Sequence, residues 1–369
     1  MRRLMVSLRL VTAERAQYIP HGLLLQWHVT SRCNLRCEHC YQDDATNAEL
    51  SFEQLLNIAG QYEELLGRWR AASRGARVRG HITITGGEPF VRADIWSLLE
   101  HLAARHRSFS FAILTNGTCL DAAAVKRLAA LKPAFVQVSL DGGPATHDLL
   151  RGAGNFERVV SAIRLLRRAG IRTLISFTAG AANYREFVDV AHVGASLGVD
   201  RVWADRLIPV GRGGDLNDPV LSPTQTHDFF RVMNAARAAV SAKQRPRTEI
   251  AMHRALQFLC GGGAPYRCTA GDTLLALLPN GDVLPCRRMP IRVGNLMETS
   301  LGELYDGSPL LGALRDPHKG SRGCERCAYA KLCHGGLRCL SNAVHGDPFV
   351  ADPGCWLAER GKSECRMKK

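Results

Sequence analysis

The sequence predicts an α/β protein: an open, partial six-unit parallel barrel followed by a loop-rich, cysteine-rich domain. Three observations predict it. Strand-like and helix-like segments alternate six times between residue 23 and about residue 208. Polar and glycine-rich signals fall at the C-terminal ends of the strands. Nine of the thirteen cysteines lie between Cys260 and Cys365. Strand–helix alternation implies a parallel sheet with right-handed crossovers. Six units are too few for a closed eight-fold barrel, and α/β barrels place their sites at strand C-terminal ends.

The elements follow in order. Leu23–Thr30 reads as a strand ending in the Cys33 loop, and Phe52–Trp69 as a helix. His81–Thr85 is a short β-branched strand stopping at Gly86-Gly87, and Ile95–Ala104 is helical. Phe109–Leu114 is a strand ending at Thr115-Asn116-Gly117. Asp121 caps a helix to Leu131, and Ala134–Leu140 is a strand ending at Asp141-Gly142-Gly143. Phe156, Val159, Val160, Ile163 and Leu166 keep helical spacing until Gly170. Arg172–Phe177 is the fifth strand, Asn183 caps a helix to Leu197, and Arg201–Ile208 is the sixth strand. Residues 209–222, rich in Gly, Pro and Asp, read as a linker. A helix of about twenty residues starts at Pro223. Beyond Cys260 there is little periodicity, which suggests a region held by metal rather than by an apolar core. The division is then 1–22 as an N-terminal extension, 23–222 as the barrel, 223–259 as a bridging helix and linker, and 260–369 as the cysteine-rich domain.

Composition narrows the class. Hydrophobic residues make up 46% and charged residues 22%, so the chain folds rather than staying disordered. No apolar stretch is long enough to span a membrane. The N-terminus begins like a signal peptide, but Arg9 interrupts its apolar run and Glu14 and Arg15 follow, so a cytoplasmic protein is expected. Without an export signal, thirteen cysteines in 369 residues point to metal ligands or catalysis rather than disulfides. The net charge of +14 reads as a solvated basic surface or as a surface for an acidic partner. Cys119, just past Thr115-Asn116-Gly117, reads as an ordinary buried thiol.

Cys33-Asn-Leu-Arg-Cys37-Glu-His-Cys40 places three thiolates in one loop directly after the first strand. Thiolate-only ligation selects zinc, copper(I) or an iron–sulfur cluster, and three ligands leave one position open. A zinc site would need a fourth ligand, for which His39 and Asp43 are candidates. This CxxxCxxC loop, followed by Gly86-Gly87-Glu88-Pro89 after strand two, resembles the radical S-adenosylmethionine (SAM) superfamily. In that family the open iron of a [4Fe–4S] cluster chelates SAM, whose reductive cleavage yields a 5′-deoxyadenosyl radical that abstracts hydrogen from substrate. Enclosure suits a reactive radical. The resemblance implies that His39 contacts the adenine in place of the usual aromatic residue, with Tyr41 next to the motif. It implies that the backbone of Gly86, Gly87, Glu88 and Pro89 binds the methionine amino group, glycine permitting close approach. Asn116 is placed to reach the methionine or ribose. Ser139 and Arg151 match ribose- and carboxylate-binding positions of sulfatase maturases, and Leu207 an adenine-contacting one.

The second cysteine set reads Cys260, Cys268-x12-Gly281-x4-Cys286, Cys324-x2-Cys327-x5-Cys333-x5-Cys339, then Cys355. This resembles the SPASM subgroup, with Cys339 two residues later than the subgroup's pattern. The bare spacing also fits a zinc ribbon. The resemblance implies two auxiliary [4Fe–4S] clusters, one on Cys260, Cys268, Cys286 and Cys339, the other on Cys324, Cys327, Cys333 and Cys355. Three clusters would offset about −6 of the net charge. Residues 279–282 would turn a hairpin between Cys268 and Cys286.

The resemblance implies a chemistry more sharply than a substrate. Subgroup members mostly modify peptides and proteins, so a peptide or protein substrate is expected, with an electron donor such as flavodoxin or ferredoxin. The alternatives are a small metabolite or a tetrapyrrole side chain, and, from charge and CxxC pairs alone, a zinc-containing nucleic-acid-binding protein; nucleic acid is not the expected partner. Sulfatase maturases carry an aspartate base directly after the cysteine equivalent to Cys286. Here Arg287 and Arg288 stand there, which argues against formylglycine formation by that route, and no residue is singled out as a general base. About 22 residues precede the first strand. That is shorter than the leader-recognition domain of many relatives, so a separate leader-binding protein is a further expected partner, the alternatives being binding by the basic surface or no leader binding at all.

Overall fold

The computed structural model describes residues 18–42, 48–73, 77–242 and 248–359. The signal-peptide reading of the N-terminus, Asp43 and Cys365 fall outside them.

All six expected strands form: β1 (Gly22–His28), β2 (Arg79–Thr85), β3 (Ser110–Thr115), β4 (Val136–Ser139), β5 (Thr173–Ala179) and β6 (Arg201–Arg206). They pair in parallel in sequence order, with His28 opposite Thr85 at the mouth. Leu23, Leu25, Trp27, Ile82, Ile84, Val136 and Val138 share one face and are buried, because helices cover the outside of a parallel sheet, while Gln26, Thr83 and Gln137 alternate with them onto the inner face. α1 (Phe52–Ala72) starts at a capping box between Ser51 and Gln54 and buries Leu55, Ile58, Tyr62, Leu65, Leu66 and Trp69. α2 (Ile95–Ala103) and α3 (Ala122–Leu131) follow, the latter capped by Asp121 through Ala124 N. α4 (Pro144–Arg151) is a helix the sequence pattern did not reveal. Its signal was Pro144 at the first helical position. α5 (Asn155–Arg168) carries the expected apolar stripe. Asn183 does not cap α6 (Phe187–Ser196) with its side chain. Instead its Nδ2 donates to Asp141 O and Thr178 O, and its Oδ1 accepts from Gly180 N, tying the ends of β4 and β5 together.

The sheet extends beyond the six strands at both edges. After α7 (Pro223–Ser241) a short β7 (Glu249–Ala251) adds in parallel to β6, inside the span read as linker. After the short α8 (Phe258–Gly261), β8 (Leu274–Leu277) adds in parallel to β1. β9 (Asp282–Leu284) and β10 (Gly294–Asn295) continue antiparallel, giving the order β10-β9-β8-β1-β2-β3-β4-β5-β6-β7. The expected hairpin at 279–282 is therefore real, and it belongs to the barrel's own sheet.

The cysteine-rich region also carries an apolar core that the sequence pattern did not reveal. α9 (Leu301–Gly307) and α10 (Pro309–Arg315) are capped by Ser300 and Ser308 and bury Leu301, Tyr305, Leu311 and Leu314. Tyr305 packs edge-on against Trp69 of α1 with ring centroids 4.8 Å apart. α11 (Ala330–Cys333), α12 (Arg338–His345) and α13 (Trp356–Glu359) complete the chain. Short amphipathic helices hid this core from a search for long periodic segments. No helix of the described residues is long and apolar enough to cross a membrane.

Candidate active site

The strand C-termini open into a cavity of about 710 Å³ that reaches from the Cys33 loop to the cysteine-rich region. Cys33, Cys37 and Cys40 line one end, and Cys268, Cys286 and Cys339 line another part of the same wall.

The loop that carries the triad is fastened from below. Gly87 N donates to Thr30 O at 2.9 Å, and Glu88 N to Arg32 O at 3.0 Å. A Cβ on Gly87 would lie 2.3 Å from Arg32 O, and one on Gly86 2.5 Å from Thr30 O. Glycine is therefore required where the end of β2 lies against the segment leading into Cys33. Glu88 is fully buried, and its carboxylate accepts from Thr115 Oγ1, Asn116 N and Phe90 N at 2.8–3.2 Å. Burial pushes its pKa up to about 7, against the pull of those three donors. Glu88 and Pro89 do not line the cavity, whereas Gly86 and Gly87 do. Glu88 braces the loop from behind, joining the end of β2 to β3.

Asn116 lines the cavity, donates to Asn34 Oδ1 at 2.9 Å, and comes within 3.8 Å of Cys33 Sγ. Arg151, from α4, spans the triad's other side. Its Nη1 lies 3.8 Å from Cys37 Sγ and its Nε 2.5 Å from Asp141 Oδ2. The buried His39 ring reaches the same Asp141 oxygen at 3.1 Å. Asp141, which the sequence reading left out, is thus the hub that orients both residues; the strand-ending Asp141-Gly142-Gly143 was its signal. Burial alone would raise the Asp141 pKa, but Arg151 and His39 outweigh it and hold the carboxyl well below the usual range. Ser139, Tyr41 and Leu207 also line the cavity.

Burial raises the Cys37 thiol, with Arg151 pulling it down and Cys40 pushing it up. Crowded thiols that resist ionisation together fit a soft, positively charged centre, whose binding displaces their protons. Among the described residues, no group of three His, Cys, Asp or Glu side chains converges on a single metal ion.

Cys339 falls beside Cys268 and Cys286 despite its shifted spacing. Burial drives its thiol far up; Arg288 opposes this, and the Cys286 and Cys268 thiolates add to it. His334, Gly335 and Gly336 all have positive φ in the segment before it, which takes up the two extra residues. Cys260, on α8, does not line the cavity, and its thiol responds to Arg231 rather than to the other thiolates. Cys324, Cys333 and Cys355 form a separate set with Cys327. Burial and the Cys355 thiolate push Cys324 and Cys333 up to about 12. Cys119 is half-buried and lies outside the cavity wall.

The wall as a whole is strongly cationic: among the described residues it carries eight arginines and one carboxylate, Asp205. Arg288 Nη1 binds Asp205 Oδ2 at 2.7 Å, and Arg254 Nε lies 3.7 Å from the same oxygen. Arg206, beside Asp205 at the end of β6, pairs with buried Asp352. Asp205 and Arg206 sit within a sixth strand recognised from sequence, but their hydrogen-bonded partners, Arg288 and Asp352, are 83 and 146 positions away.

This arrangement of a thiolate triad in the loop after β1, a glycine brace after β2 and a second cysteine set lining the same cavity is that of a radical SAM enzyme. Residues 27–193 match the radical SAM superfamily, and residues 268–328 match SPASM, an iron–sulfur cluster-binding domain. The mycofactocin maturase MftC of Mycolicibacterium smegmatis is 30% identical, over 85% of this chain and 77% of that protein. The pre-heme d1 synthase of Dinoroseobacter shibae is 28% identical, over 91% and 87%. The AdoMet-dependent heme synthase of Methanosarcina barkeri is 27% identical, over 90% and 95%. Among solved structures, Streptococcus suis SuiB bound to S-adenosylmethionine superposes with a TM-score of 0.70 at 20% identity, covering 92% of this chain and 77% of SuiB. Native anSMEcpe with bound AdoMet gives 0.70 at 18%, covering 93% and 96%. The chain belongs to the radical SAM superfamily and carries a C-terminal SPASM domain, so iron–sulfur clusters and SAM are its cofactors.

The brace makes a first prediction. Gly87→Ala is expected to displace Arg32 and the Cys33 loop, because backbone rather than a flexible side chain blocks its Cβ. Reconstituted Gly87→Ala should lose up to about four irons per chain, one cluster's worth. Full iron content with normal SAM affinity would show that the loop adapts.

Proposed function

We propose that this enzyme holds three [4Fe–4S] clusters and modifies a ribosomally made peptide or protein by hydrogen abstraction inside the cavity. The observation that carries this reading is that one cavity of about 710 Å³ is lined by cysteines of both sets. Cys33, Cys37 and Cys40 hold the SAM-binding cluster. Cys268, Cys286 and Cys339, with Cys260, hold the first auxiliary cluster, and Cys324, Cys327, Cys333 and Cys355 the second. When bound, the first cluster and SAM supply one-electron cleavage and a 5′-deoxyadenosyl radical. The chain's own residues do the positioning. Gly86 and Gly87 let the backbone approach the methionine end. Asn116, Ser139 and Arg151 offer polar groups along it, His39 and Leu207 offer flat or apolar surface to the adenine, and Tyr41 follows the triad on the cavity wall. Glu88 acts from behind by fixing the loop. The barrel wall excludes water from the reacting carbon. The reading places the enzyme in the cytoplasm, with a flavodoxin- or ferredoxin-type reductant and a separate leader-binding protein.

The 30% identity to a protein named a maturase supports a peptide substrate. A second reading, a haem-type tetrapyrrole, is supported by relatives named for heme and pre-heme d1 synthesis that align over 90% or more of this chain. The test is anaerobic incubation of reconstituted enzyme with SAM, dithionite and each short peptide encoded beside its gene, read by mass spectrometry and 5′-deoxyadenosine release. A mass change in one peptide is expected. Turnover confined to a tetrapyrrole would replace the peptide reading.

A further inference from the structure

The two arginines that follow Cys286 have different fates. Arg288 is neutralised by Asp205 at 2.7 Å. Arg151, Arg206 and Arg32 are likewise matched by Asp141, Asp352 and Glu49. Arg287 lines the same cavity, yet among the described residues it has neither an acidic partner nor a hydrogen bond, and its Nε is buried without one. What holds it is a ring: its guanidinium carbon lies 5.2 Å from the centre of Tyr41. Tyr41 is fixed in turn edge-on against buried His28, with centroids 6.1 Å apart. A guanidinium stacked on an aromatic face keeps its planar fork of donors free and preorganised. Only the Nε is withdrawn from water; the two terminal nitrogens stay open to the cavity, where a carboxylate can meet them.

We propose that Arg287, supported by Tyr41, is the substrate-carboxylate site of this enzyme, and that Arg288 is structural. The proposal rests on the reading that substrate enters this cavity, and it narrows the substrate class to molecules bearing a carboxylate close to the reacting carbon. The planar fork accepts a carboxylate in two parallel hydrogen bonds. A carboxylate on a peptide and one on a tetrapyrrole side chain present the same chemistry.

Binding tests this without turnover, so its failure is separate from a failure to find the reaction. Reconstituted enzyme with SAM present is titrated, without reductant, against four probes: labelled hexaglutamate and hexaglutamine peptides, a porphyrin with four carboxylates, and its methyl ester. Wild type should bind at least one charged probe more tightly than its neutral partner. Arg287→Gln should lose about 10- to 100-fold of that affinity, the value of a charge-assisted hydrogen bond, and bind the neutral probe as before. Arg287→Lys, which keeps the charge without the fork, should lose less; it decides the matter if Arg287→Gln loads iron poorly. Preference for hexaglutamate assigns the carboxylate to a peptide, and preference for the porphyrin assigns it to a tetrapyrrole. Equal binding of charged and neutral probes by wild type overturns the proposal. So does loss of SAM affinity in Arg287→Gln with probe discrimination intact, which would assign Arg287 to the cofactor.

Discussion

Changing Cys33, Cys37 and Cys40 together to alanine is expected to abolish reductive cleavage of SAM while leaving the other clusters in place. The two cysteine sets are carried by different parts of the chain. The triad lies in the loop after β1, fastened through Thr30 and Arg32 to β2, and the remaining ligands follow α7. The cysteine-rich region keeps its own apolar contacts through Leu301, Tyr305, Leu311 and Leu314. Removing the triad therefore leaves that region folded and able to load. Iron should fall by about four from about twelve per chain if each cluster carries four. The broad absorbance of the remaining clusters should persist. The triad's removal also leaves Arg151 without its thiolate neighbour, but Asp141 still neutralises it, so the barrel should not unfold. Any 5′-deoxyadenosine formed by the triple variant under dithionite would disprove the assignment.

Much of this site was legible because its chemistry is local in sequence. Three cysteines within eight residues, and Gly86-Gly87 at a strand end, need no tertiary information to be read as a ligand loop and a close backbone approach. The barrel was legible for the same reason, since each strand carries its own apolar run and most strand ends their own polar or glycine-rich signal. What escaped was set by contacts between distant segments. The Glu88 side chain, in a motif whose backbone is implied to meet the cofactor, is held by Thr115 and Asn116, 27 and 28 positions away. Asp141 looks like a turn residue until α4 brings Arg151 back onto it. β7 is three residues long, too short to show alternation, and exists because β6 offers it an edge. Arg287 and Arg288 are equivalent in sequence, and only the positions of Asp205 and Tyr41 tell them apart.

The largest stability effect is expected at Arg206. Its two terminal nitrogens bind the two oxygens of Asp352, one at 2.8 Å and the other at 2.5 Å, and both side chains are buried. Asp352 Oδ2 also accepts from Leu337 N, and Oδ1 from Gly354 N, at 2.8 and 2.9 Å. One carboxylate therefore joins the end of β6 to the segment before Cys339 and to the turn before Cys355. A pair of this kind adds little over a well-packed apolar pair, but removing one partner strands a charge in low dielectric. Arg206→Met is therefore expected to cost about 3–5 kcal/mol, since the methionine fills space without meeting the carboxylate. Two backbone N–H groups continue to solvate Asp352 and keep the loss within that range. Adding Asp352→Asn to Arg206→Met removes the stranded charge but turns an amide N–H₂ toward one of those two donors. It should restore about 1–2 kcal/mol, the difference between an unpaired charge and one lost neutral hydrogen bond. The measurement is the urea midpoint of wild type, Arg206→Met and the double variant, followed by far-ultraviolet circular dichroism under anaerobic conditions. Cluster absorbance recorded alongside should bleach at lower urea in Arg206→Met, because the same carboxylate positions the backbone beside Cys339 and Cys355. Equal midpoints for wild type and Arg206→Met would mean that Asp352 is hydrated or neutral in solution, and that the join between the barrel and the cysteine-rich region rests on its apolar contacts.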